Sequence, residues 1–171
     1  MDGELHSDDQ FSFSRKNEEL FVKHFPAGLS EEAAVLKAHL YVETLLRDFC
    51  LRSVRNPAHL QEARLSFKQV TQLARSLCVL DGENFDFCWL LVEKLNTLRN
   101  MMAHELEPDP ARMSKARNAM LTIAKQSRSA DEPDIGTFAE CVGYLCGVVD
   151  ALLQTSLAMA KHMTTSGKPK D

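Results

Sequence analysis

The chain has 171 residues, 44% of them hydrophobic and 26% charged, enough for one domain with a real core and too few for two comfortable ones. Only 7 Gly and 6 Pro are present, which excludes a sandwich or barrel of many short strands, and five cysteines without a CxxC exclude a disulfide scaffold and a thiolate zinc site. The net charge of −4 conceals segregation: residues 1–19 are acidic, whereas 47–75 and 111–128 are basic.

The opening MDGELHSDDQ is acidic and polar, and reads as neither a secretory signal nor a transit peptide. A cytoplasmic location is therefore expected, with Cys50, Cys78, Cys88, Cys141 and Cys146 as buried reduced thiols. Residues 1–29 read as an acidic segment with a short helix over 14–25, ended by Pro26 and Gly28. A helical domain is expected over 30–163 and a flexible tail over 164–171. Ser30 suits an N-cap, and Val35, Val42, Leu45 and Phe49 recur at helical spacing through about residue 51. On the other side His39, Glu43 and Arg47 follow at i, i+4, which predicts a hydrogen-bonded surface stripe.

Asn56-Pro57 opens a predicted helix over 57–78, and Asp81-Gly82 marks a loop. A long helix is predicted over 84–106, stopped by Pro108 and Pro110. Asp109 caps and Pro110 opens a basic helix to about 127. The last helix, 135–163, contains the most apolar stretch of the chain. Glu140, Asp150 and Gln154 within it weigh against a membrane span, while Gly143 and Gly147 permit close approach of another helix. The expected architecture is an all-α bundle of five or six helices.

The chemistry concentrates in residues 89–106, WLLVEKLNTLRNMMAHEL. At about 100° per residue, Leu91, Leu95, Leu98 and Met102 form a core stripe, and Asn96, Arg99, Asn100 and His104 converge nearly opposite. Phe85, Trp89 and Val92 continue that second side. It must be covered too, by another helix of the same domain or by a second subunit; in the second case Phe85, Trp89, Val92 and Asn96 form a dimer interface. No HExxH, paired carboxylates, nucleophile triad, phosphate loop or dinucleotide fingerprint occurs, so neither metal nor cofactor is expected.

The run Arg99-Asn100-Met101-Met102-Ala103-His104, near the end of a long helix in an all-α chain, resembles the signature of the HEPN superfamily. Segments 39–46, 63–77 and 95–108 are similar to a group of bacterial HEPN-like proteins without an assigned role. The resemblance implies a homodimeric, metal-independent endoribonuclease of a toxin–antitoxin or defence system, with RNA as substrate and an antitoxin protein as a further partner. It gives Arg99 to the scissile phosphate, His104 to general acid–base work and Asn100 to orientation. The basic helix, through Arg112, Lys115 and Arg117, would guide the RNA backbone. The alternative is a non-enzymatic regulatory or interaction module of the same fold, in which Arg99 pairs with a carboxylate such as Glu43 and Asn100 and His104 tie the helix end to a loop.

Overall fold

The computed structural model describes residues 7–80, 82–129 and 131–166. Among them are seven helices and no strand: α1 (Ser7–His24), α2 (Glu31–Ser53), α3 (Pro57–Gln61), α4 (Phe67–Leu77), α5 (Asp86–His104), α6 (Pro110–Gln126) and α7 (Phe138–Ser166). The protein is all-α. Of the expected acidic segment, residues 1–6 lie outside the described residues, as do 167–171 of the expected tail.

Local chemistry explains most boundaries. Ser30 caps α2, its Oγ accepting from the Ala33 N–H at 3.2 Å, after a turn in which Gly28 takes φ +83°. Asp109 caps α6 by accepting from the Ala111 N–H at 2.9 Å, with Pro110 in the first turn. The single helix expected over 57–78 is instead two, which raises the count to seven. Ser66 and Gln69 form a reciprocal capping box that restarts the chain as α4, and Arg47 binds the Leu65 carbonyl in the break at 2.8 Å. The last helix starts at Phe138 rather than 135 for the same kind of reason. The Glu140 carboxylate accepts from the Gly136 and Thr137 N–H groups, both at 2.8 Å, and Thr137 Oγ1 accepts from the Glu140 N–H at 3.2 Å.

Helices α2 and α7 form the centre, packing on each other; α2 also meets α1, α3, α4 and α5, and α7 meets α1, α5 and α6. Leu45, Leu46, Phe49, Leu91, Leu95, Leu98, Met120, Leu145 and Leu153 fill the space between them. Each such side chain contributes about 1.5–3 kcal/mol by leaving water. By length and composition α7 is apolar enough to cross a membrane, yet 44% of its most apolar window is buried inside the protein. Its Asp150 is bonded on both oxygens, to Asn17 Nδ2 and to Gln154 Nε2, each at 2.7 Å. Asn17 is itself buried, and Tyr41 donates to its carbonyl at 3.2 Å, so a polar clasp fastens α1 to α2 and α7.

No helix among the described residues packs tightly against the glycine pair in α7. A Cβ on Gly143 would meet only the Phe21 ring at 4.0 Å, ordinary contact, and one on Gly147 would meet nothing within 4 Å. All five cysteines are buried free thiols, and burial pushes Cys50 and Cys141 up to about 11 and Cys88 to about 12.

Candidate functional site

Helix α5 changes character along its length. In its first turns it is enclosed on two sides, with Cys88, Trp89 and Val92 as deeply buried as Leu91 and Leu95. Trp89 is 2% exposed and Val92 0% within the single chain, so the second face is covered by the protein's own helices. Of the two coverings that the sequence left open, burial within the single chain holds for Trp89 and Val92, whereas Phe85 and Asn96 are half-buried. The open stripe is rotated by one residue, about 100°, onto Leu90, Glu93 and Thr97. Towards the C-terminus only the core side remains covered, by Leu98 and Met101. Arg99 and Asn100 are half-buried, and Ala103 and His104 are exposed.

These motif residues are brought together in part. An Arg99 Nη1–H donates to the Asn100 Oδ1 at 3.1 Å, uniting the guanidinium and one amide. His104 has no hydrogen-bond or ion-pair partner among the described residues and faces solvent in the last turn of α5. Glu43 is not the partner of Arg99. Its Oε1 accepts instead from Arg47 Nε and Nη2, at 3.0 and 2.6 Å.

Behind the motif lies a group read from the sequence only as a surface stripe. His39 is 4% exposed, its ring stacked on Phe67 of α4 with centroids 4.0 Å apart. Its Nε2–H donates to the Oδ1 of Asn96 at 3.2 Å, and its Nδ1 lies 4.0 Å from Glu43. Burial holds the imidazole below its ordinary value of 6.5 and the nearby Arg99 charge acts the same way, outweighing the Asn96 bond and Glu43. The wheel explains the misreading. His39 falls about 20° from the buried Leu46, at the margin of the core stripe, whereas Glu43 and Arg47 turn progressively outward. What covers His39 is Phe67, brought over it by the unexpected break before α4.

The basic helix is less free than its composition implies. Arg112 pairs with Glu105 at 3.0 Å, Arg117 with Glu31 at 2.9 Å, Lys125 with Asp134 at 3.5 Å and Arg128 with Glu132 at 3.2 Å. Arg117 also lies over the Phe138 ring at 5.3 Å. Of the three residues expected to touch RNA, Lys115 alone carries no ion pair among the described residues. No cluster of three or more His, Cys, Asp or Glu suited to a metal occurs among the described residues.

No family model, curated protein or solved structure gives a significant match to the chain. The class that fold and site define is thus an all-α bundle of seven helices among the described residues, with a polar cluster where α2, α4 and α5 meet.

Proposed function

We propose that the chain is a HEPN-type RNA-cleaving protein that acts as a homodimer through the exposed end of α5. The observation that carries this reading is the state of His104: an unpartnered, solvent-facing imidazole one turn beyond an arginine whose guanidinium is held by a single neighbour. A purely architectural histidine would be spent on a neighbouring group, as His39 is. In the proposed reaction one His104 takes the proton of an RNA 2′-hydroxyl, whose oxygen attacks the adjacent phosphorus. The bond from phosphorus to the 5′-oxygen breaks, and the second copy's His104 protonates that oxygen, leaving a 2′,3′-cyclic phosphate and a free 5′-hydroxyl. Arg99 holds the phosphate through its remaining donors, and Asn100 fixes the guanidinium. Its setting is a toxin–antitoxin or defence system in the cytoplasm.

A second reading, a non-enzymatic RNA- or protein-binding module, is favoured by one observation: the histidine that the facing helix α2 contributes, His39, is locked in the interior and bonded to Asn96.

The test uses the purified full chain with single-stranded RNA in excess chelator. Cleavage with cyclic-phosphate ends is expected. His104→Ala and Arg99→Ala should each lower the rate by about 100-fold or more while the helical spectrum is unchanged. No cleavage by the parent, or cleavage indifferent to both substitutions, would overturn the enzymatic reading.

A further inference from the structure

Between α4 and α5 runs an open cleft of about 300 Å³, lined among others by Phe67, Lys68 and Gln72 from one helix and Glu93 and Asn96 from the other. Its volume stands at the small end of ligand-sized cavities, room for one nucleotide rather than a large cofactor. The helices run antiparallel, because Arg75 near the end of α4 bridges to Asp86 at the start of α5 while Phe67 and Asn96 meet through His39 at the other end. The cleft therefore opens, at its Phe67–Asn96 end, towards the turn that carries Arg99 and Asn100.

We infer that this cleft is a nucleotide-binding subsite, in which a base lies against Phe67, is read by Asn96 and Glu93, and has its phosphate met by Lys68. Three features converge on that ligand. The Phe67 ring lines the cleft while His39 stacks on one of its faces at 4.0 Å, so the platform is rigid and already part of a stack, the arrangement on which bases dock whatever their sequence. The Asn96 amide is oriented from behind: its Oδ1 is held by the buried His39, and its Nδ2–H donors remain for the cleft. One turn away, at i−3, the Glu93 carboxylate offers only acceptors. A donor beside an acceptor is the complement of a base edge, where ring or carbonyl acceptors adjoin N–H donors. Lys68 and Glu93 form no ion pair with each other or with any other described residue, which leaves the cation for a phosphate and the carboxylate for the base. The assignment rests on RNA being the ligand of the α5 face, for which it supplies the recognition of one base beside the scissile bond.

The experiment is titration of the full chain with AMP, CMP, GMP and UMP, and with ribose 5-phosphate, followed by backbone amide shifts. At least one nucleotide should saturate, with shifts confined to α4 and α5, and ribose 5-phosphate should bind at least about tenfold more weakly. Phe67→Leu should weaken the nucleotide about tenfold or more. Asn96→Asp, which keeps an acceptor for His39 and removes the donor, should do the same without loss of helix; this variant serves if Phe67→Leu fails to fold. Equal binding of ribose 5-phosphate would mean an anion site only, and overturns the proposal. So would shifts on another surface, or no saturation by about 10 mM. A mononucleotide has no scissile bond, so this binding can fail while RNA is still cut, and can hold if no RNA is cut.

Discussion

The imidazole of His39, enclosed by Phe67, Asn96 and Glu43 and facing the Arg99 charge, must give up a proton more readily than in water. The unfolded chain keeps the ordinary value near 6.5 and binds that proton better, so acidification favours unfolding. The contribution of a neutral His39 is complete above about pH 6.5 and is lost as pH falls towards the lowered folded-state value. Asp150 works in the opposite sense. Its burial raises the carboxyl above 3.8 despite the bonds from Gln154 and Asn17, so protonation at acid pH relieves a cost in the folded state. Denaturant titrations at pH 7 and pH 5.5 should therefore show a smaller loss of stability in His39→Gln than in the parent chain. An equal loss in both would place the acid sensitivity elsewhere.

The helices themselves were legible wherever a stop or start is written in proline, glycine or a lone capping residue. Asp109-Pro110 and Ser30 placed α6 and α2 correctly because their side chains act on the next turn alone. Where the signal is a reciprocal pair three residues apart, Ser66 with Gln69 and Thr137 with Glu140, the reading ran through it, since no breaker lies between. The glycines of α7 carry a helix-approach pattern that no other helix among the described residues uses. Gly147 lies inside a helix with open space where its Cβ would be. Gly147→Ala should accordingly stabilise the protein by about 0.5–1 kcal/mol, through the smaller backbone entropy lost on folding. A destabilised variant in urea titration would mean that a partner's helix fits against that glycine after all.

At the scale of the whole molecule, folding redistributes the charge that looked segregated along the chain. Arg117 reaches Glu31 and Arg112 reaches Glu105, so acids from outside the basic stretch 111–128 neutralise part of it, and Lys16 of the acidic segment lies 3.6 Å from Asp48. Sequence order could not show this, because the partners stand up to 86 residues apart. Among the cations without an ion pair in the described residues are Arg99, whose guanidinium is bonded to Asn100 one turn before His104, Lys68 at the mouth of the α4–α5 cleft, and Lys115 on α6. The motif itself was legible because i, i+4 spacing on one helix is a local property. The cleft beside it was not, since it needs the break at 62–66 to bring Phe67 against His39. On the proposed reading, RNA engages this face. Ultraviolet cross-linking of single-stranded RNA to the full chain, with the modified peptides identified by mass spectrometry, tests it most directly. Cross-links are expected within residues 67–72 and 96–104; cross-links confined to other surfaces, or none, would contradict the account.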